Sequence, residues 1–188
     1  KKGMLKMKPQ SSAKPIHTMV SIALMTALMC IFSPFAIPLP ISLVPLSFAT
    51  LVLYIMAYIL NPVHGLISCL VYLFLGFIGL PVFSGFSGGF GKLAGPTGGY
   101  LIGYLFLIVI SSWFIHHFRM HKLWSILGMM IGTAILYLFG TIWLAKMANL
   151  SFFAALAAGV LPYLIGDAIK IITASILGPI LKRAIPQK

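Results

Sequence analysis

The sequence predicts an all-α integral membrane protein, a bundle of six transmembrane helices with both termini in the cytoplasm, and three observations carry that reading. Of 188 residues, 61% are hydrophobic and 7% charged, with a mean hydropathy of +1.10; a water-soluble domain needs roughly a quarter of its residues charged. The length accommodates six spans of ~20 residues each in one compact unit. The basic residues gather at the ends of apolar stretches rather than along them, as they do where they set topology and anchor helices among the headgroups of the lipid bilayer. That placement also argues against nucleic acid as the partner of the +12 formal charge, because nucleic-acid binding needs the basic groups collected on one face.

The elements follow in order. A basic tail, residues 1–15 with Lys1, Lys2, Lys6, Lys8 and Lys14, leads into a first span of about 16–34. This imitates a secretory signal, but no small-residue cleavage site follows, so the run reads as a retained helix. Pro34, Pro38, Pro40 and Pro45 force an extended connection, since proline cannot continue a helix. A second span covers 43–60, and Asn61-Pro62 turns tightly into a third at 63–80. Residues 81–97, PVFSGFSGGFGKLAGPT, hold five glycines, two prolines, three phenylalanines and one charge, Lys92. That composition is too apolar for an exposed linker and too glycine-rich for a helix, so this loop is expected to fold back over the bundle. The fourth span is 98–117, the polar break runs from His116 to Lys122, and the fifth span is 123–145. A short interfacial helix at 151–159 leads to the last span, 161–182, with Pro162 in its first turn. Residues 16–183 thus form one membrane domain, closed by a tail at 184–188.

Alternating the spans from a cytoplasmic N-terminus puts ten of the thirteen basic residues on inside segments. Only Lys92 and Lys146 fall outside, and Lys170 lies within the membrane. The positive-inside rule therefore places both termini inside and the loops at 35–42 and 81–97 on the outer face.

Asp167 is the sole acidic residue of the chain and lies in the last span. An ionisable group at the centre of a spanning helix costs ~2.5–3.5 kcal/mol on insertion scales, so its retention points to use. The competing reading is a packing salt bridge with Lys170, three residues on and on nearly the same face. Tyr163, Asp167 and Lys170 share one helical stripe, extended by Thr173 and Ala174. A polar stripe descending from the outer surface suits a small-molecule site. Gly95-Pro96-Thr97-Gly98-Gly99-Tyr100 opens the fourth span; uncovered backbone N–H groups there suit an anion or carbonyl, and close helix contact explains the same glycines equally well. Ala23-xxx-Ala27 and Gly128-xxx-Gly132 are further small-residue patterns whose partner helix the spacing does not name. Cys30 and Cys69 read as small buried hydrophobes.

Catalytic constellations fail by counting. One acid excludes a dicarboxylate site, and no glutamate means no H-E-x-x-H. Gly85-Phe86-Ser87-Gly88-Gly89 matches G-x-S-x-G and also the G-x-S-G of rhomboid-like intramembrane serine proteases. A serine nucleophile needs a base within hydrogen-bond reach, yet the topology puts His17, His64, His116, His117 and His121 on the cytoplasmic side, a bilayer away.

Gly79-Leu-Pro-Val-Phe83, the glycine-rich loop, Gly95-Pro-Thr-Gly-Gly-Tyr100 and Tyr163-Leu-Ile-Gly-Asp-Ala-Ile-Lys170 together resemble the BioY family, the biotin-specific substrate-binding (S) components of energy-coupling-factor (ECF) transporters. The resemblance runs from about residue 20 to 183. It implies a six-helix S-component bundle in the plasma membrane that captures biotin from outside, with no catalytic activity and no cofactor of its own. It further implies coupling, through the first helix, to a transmembrane T component and two cytoplasmic ATPase subunits. S components make that contact with an A-x-x-x-A motif, matched by Ala23 and Ala27; relatives carry an acid and a lysine near the ligand, matched by Asp167 and Lys170. Biotin offers ureido N–H groups and a C=O, a thioether ring and a carboxylate. On the resemblance, Asp167 accepts from a ureido N–H and Lys170 or Lys92 pairs with the carboxylate. Phe83, Phe86 and Tyr100 cover the bicycle, Thr97 or Ser87 hydrogen-bonds, and Tyr163 extends the stripe. The first loop departs from the family: where many relatives carry a glutamine after the proline run, this chain reads Pro45-Leu-Ser-Phe-Ala49. An S component for another vitamin is the alternative, because aspartate-plus-lysine chemistry fits several such ligands.

Overall fold

The computed structural model describes residues 13–37 and 44–184, so most of the basic tail, Pro38, Pro40 and Lys188 lie outside the described residues. In chain order the elements are α1 (Ala13–Phe32), β1 (Ala36–Ile37), β2 (Leu46–Ser47), α2 (Ala49–Ile59), α3 (Pro62–Phe77), α4 (Phe90–Ala94), α5 (Gly98–His117), α6 (Lys122–Ala148), α7 (Phe152–Gly159), a 3₁₀ turn at Leu161–Tyr163, and α8 (Leu164–Ala184). Three segments, Gly98–His117, Lys122–Ala148 and Phe152–Ala184, are long and apolar enough to cross a membrane, while Ile16–Phe32, Ala49–Ile59 and Pro62–Phe77 are apolar but shorter.

The second apolar stretch departs most from the sequence reading. Residues 43–60 suggest a full span, but α2 has only eleven residues, about 16 Å at 1.5 Å per residue against a hydrocarbon core of about 30 Å. The rest of that stretch is extended. Pro45 stops the helix from starting earlier, and Leu46 and Ser47 pair antiparallel with Ile37 and Ala36. The Ser47 hydroxyl donates to the Ser33 carbonyl (2.9 Å) and accepts from the Ala49 amide (3.1 Å), fixing where the helix begins.

Nine of the eleven α2 residues are buried, which makes α2 the centre of the bundle, packed against α1, α5 and α8. Glycines bring the neighbouring helices close. A Cβ on Gly178 of α8 would sit 2.2 Å from the Tyr58 ring, and one on Gly65 of α3 would sit 2.8 Å from Ile108 of α5. The α5–α6 seam is built the same way: Gly99 meets Trp143, Gly103 meets Leu136, Gly132 meets Leu107, and Gly128 meets Phe114. The small-residue patterns at 95–103 and 128–132 therefore serve contacts within this chain.

The 81–97 loop packs as its composition suggests, but it also contains the short helix α4. Phe83 is fully buried, edge-on to Tyr72 at 5.5 Å, and Gly76 makes room for its ring. The Gly89 amide donates to the Gly76 carbonyl (2.7 Å) and the Gly85 amide to the Pro34 carbonyl (2.9 Å). The loop is thus pinned to the end of α3 and to the start of the first connection. Cys69 is buried, Cys30 is half-buried, and both are free thiols.

Candidate functional site

The extended run before α2 determines the chemistry beneath it. Extended backbone leaves carbonyls unused by any helix, and buried carbonyls must find donors. Two come from α8 and the turn before it: the Tyr163 hydroxyl donates to the Val44 carbonyl, and the Lys170 ammonium donates to the Ser47 carbonyl at 2.7 Å.

Lys170 also donates to Thr50 Oγ1 at 3.0 Å and to Asp167 Oδ1 at 2.9 Å. An ammonium has three N–H bonds, and all three are engaged. Asp167 Oδ1 takes a second bond from the Thr50 hydroxyl at 3.1 Å, and Oδ2 accepts a short bond, 2.5 Å, from the Tyr137 hydroxyl of α6. Asp167 and Lys170 expose only 7% and 11% of their side chains. The packing salt bridge of the competing reading therefore forms, and it forms in the wall of a cavity rather than in a closed core.

That cavity is lined by residues 44–47 and Thr50, by Tyr100 and Tyr104 of α5, by Leu136 and Tyr137 of α6, by Gly159, and by Tyr163, Asp167 and Lys170. Tyr100 and Tyr104 lie one helical turn apart on α5. The Tyr100 ring lies where a Cβ on Gly140 would be, at 2.3 Å, and its hydroxyl donates to the Gly159 carbonyl at 3.0 Å. The cavity volume is about 50 Å³, whereas small-molecule sites run to about 300 Å³ or more. A ligand larger than a few waters enters only if a wall yields. The Val44–Ser47 run is the wall not built on a helix.

Of the residues singled out from the sequence, the structure brings Asp167, Lys170, Tyr163 and Tyr100 together. It places the others elsewhere. Phe83 is in the packed end of α3, and Phe86 is 61% exposed against Phe35. The Ser87 hydroxyl donates to the Ser84 carbonyl at 2.8 Å. Thr97 is buried ahead of α5, and its hydroxyl finds no partner among the described residues. Lys92 is half-buried on α4, and that burial lowers its pKa from the ordinary lysine value. None of these five lines the cavity, and its non-helical wall is residues 44–47 rather than 81–97. Sequence reasoning missed Thr50, Tyr104 and Tyr137. Their signal was a hydroxyl inside an apolar helix, too common beside a lone carboxylate to single out.

The family model for BioY matches residues 6–187. The chain belongs to the BioY family. It is 34% identical over 170 residues to the biotin transporter BioY2 of Lactococcus lactis subsp. cremoris (strain MG1363), covering 90% of this chain and 92% of that protein. It is 30% identical over 171 residues to the biotin transporter BioY of Thermotoga maritima (strain ATCC 43589 / DSM 3109 / JCM 10099 / NBRC 100826 / MSB8), covering 89% and 97%. Among solved structures, the S-component for biotin from an ECF-type ABC transporter superposes with a TM-score of 0.86 at 27% identity, covering 92% of this chain and 94% of that one. BioY membership makes the chain a transporter component and not an enzyme, which sets aside the protease reading of Ser87. The geometry agrees: Ser87 follows the C-terminal end of α3, whereas His64 is at the start of α3, His17 at the start of α1, and His116 and His117 at the end of α5. His121 follows that end of α5, in the turn before α6.

Proposed function

We propose that this chain is the biotin-binding S component of an ECF-type importer, capturing biotin at the Asp167 cavity. The observation that carries the reading is a buried carboxylate held by Thr50, Lys170 and Tyr137 in a cavity wall, within a family whose relatives are biotin transporters. A carboxylate has about four acceptor positions, and three are filled, which leaves Oδ2 able to accept a ureido N–H. Lys170 keeps Asp167 ionised and oriented, and it ties the Ser47 carbonyl down over the site.

In this reading the chain crosses the membrane six times with both termini in the cytoplasm, the second crossing made by the extended run from Val44 together with α2. The distribution of basic residues supports this, and it puts the Val44–Ser47 wall on the outer side, where substrate arrives. The structural relative is a component of an ECF-type ABC transporter, and on the family resemblance the ATP-driven partners of this chain are a T component and two ATPase subunits. Ala23 and Ala27 are exposed on α1 beside Ile67 and Val71 of α3, along an apolar groove of about 490 Å³. Small residues on an unpaired face of this kind suit close approach of another helix, and we assign this face to the T component. The test is labelled-biotin binding to the solubilised chain in competition with other vitamins, followed by uptake into vesicles with and without the partner subunits. Displacement by another vitamin at lower concentration than biotin would reassign the ligand and leave the architecture standing.

A further inference from the structure

The polar groups around the cavity are nearly all spoken for, and the exceptions define what the site can read. Lys170 has spent its three N–H bonds. The hydroxyls of Thr50 and Tyr137 donate to Asp167, that of Tyr100 to Gly159, that of Tyr163 to Val44, and that of Ser47 to Ser33. The hydroxyls that donate keep lone pairs, but two capacities stand out among the described residues. One is the last acceptor position of Asp167 Oδ2. The other is the hydroxyl of Tyr104, a buried residue that lines the cavity and makes no hydrogen bond among the described residues. Its oxygen is not among the buried polar atoms left without a partner, so it opens onto the cavity, and an uncommitted donor in a cavity wall is what a ligand carbonyl needs.

We propose that Tyr104 determines specificity for the cyclic urea, its hydroxyl donating to the urea carbonyl while Asp167 accepts from the adjacent N–H. This rests on biotin being the ligand. A urea presents a donor and an acceptor side by side, and Asp167 and Tyr104 offer the complementary acceptor and donor from two helices, α8 and α5. Tyr137 and Thr50 act as positioning residues, because their hydroxyls donate to Asp167 and fix the carboxylate plane. The fold commits Tyr104 to nothing else, so Tyr104→Phe removes one oxygen and breaks no internal hydrogen bond.

The experiment measures binding of biotin, desthiobiotin and a thiourea analogue, in which the carbonyl oxygen is replaced by a weakly accepting sulfur, to the parent and to Tyr104→Phe. The expected result is a loss on the order of 10- to 100-fold for biotin and desthiobiotin in the variant, with the thiourea bound within about threefold by both proteins. The parent then prefers biotin over the thiourea, and the variant does not. Equal losses for all three ligands, or no loss for any, overturn the assignment to the carbonyl. A parent that binds no biotin withdraws the ligand reading, and this pairing with it. A parent that binds biotin alongside an unaffected Tyr104→Phe leaves the ligand reading standing and removes the pairing alone.

Discussion

Asp167→Asn tests whether the ion pair in the cavity wall is also a structural element. The substitution keeps the side-chain shape but removes the charge facing Lys170, whose side chain is 11% exposed. The amide also turns two acceptor sites into donors, in a place where Tyr137, Thr50 and Lys170 all point donors. Breaking a buried pair by removing one partner typically costs ~3–5 kcal/mol. Here Lys170 keeps two neutral acceptors, Ser47 O and Thr50 Oγ1, which favours the low end, ~3 kcal/mol. For a chain of this size, that is a fall in melting temperature of about 6–12 °C. Removing both charges, Asp167→Asn with Lys170→Met, eliminates the unpaired ammonium and recovers most of the loss. Thermal unfolding of the four proteins in detergent gives the cycle, with a coupling of at least ~1.5 kcal/mol expected. Additive losses, with the double variant no better than the worse single one, would refute the idea that these charges stabilise the fold through each other.

Other outcomes follow from the same geometry. Phe83→Ala lowers stability by ~3–5 kcal/mol, because the ring is fully buried against Tyr72, yet it leaves biotin affinity within a few-fold when measured below the unfolding transition. Phe86→Ala and Lys92→Met leave both affinity and melting temperature near the parent values, since neither residue lines the cavity; a tenfold loss of affinity in either would bring the 81–97 loop back into the site. Gly140→Ala drives a methyl into the Tyr100 ring; it costs ~1–3 kcal/mol as overpacking and weakens biotin binding together with stability. Ala27→Leu leaves binding to the isolated chain unchanged and abolishes uptake by the assembled transporter, as vesicle transport and a pull-down of the T component will show.

Much of this was legible because a membrane chain advertises its exceptions. A single carboxylate in an apolar helix stands out against its background, and helical spacing alone joins it to Tyr163 and Lys170. The loop at 81–97 could be expected to pack because glycine with phenylalanine is a poor solvent-exposed composition, but the surface it packs against is a tertiary fact. Phe83 packs against α3 rather than over the Asp167 cavity because Gly76 leaves a ring-sized space there. The true wall, Val44–Ser47, was hidden because an apolar run followed by a helix reads as one continuous span. Only the pairing with Ala36–Ile37 and the side chains of Tyr163 and Lys170 show that its carbonyls are used across the bundle. Thr50 was invisible for a related reason: a threonine hydroxyl in a membrane helix often bonds its own backbone, as Thr133 does to Met129, and no spacing marks the one that does not. Tyr104 and Tyr137 were invisible because the partner a tyrosine hydroxyl reaches lies on another element, as Tyr137 shows with Asp167.

The most direct test of the central claim is equilibrium binding of radiolabelled biotin to the purified chain in detergent, beside Asp167→Asn, at a temperature where unfolding curves show both folded. Saturable binding by the parent, lost or weakened by at least about 100-fold in Asp167→Asn, is the result the cavity predicts, since a charged acceptor buried against the ligand is replaced by a donor. Equal binding by the two folded proteins would contradict the account and move the biotin site away from the Asp167 cavity.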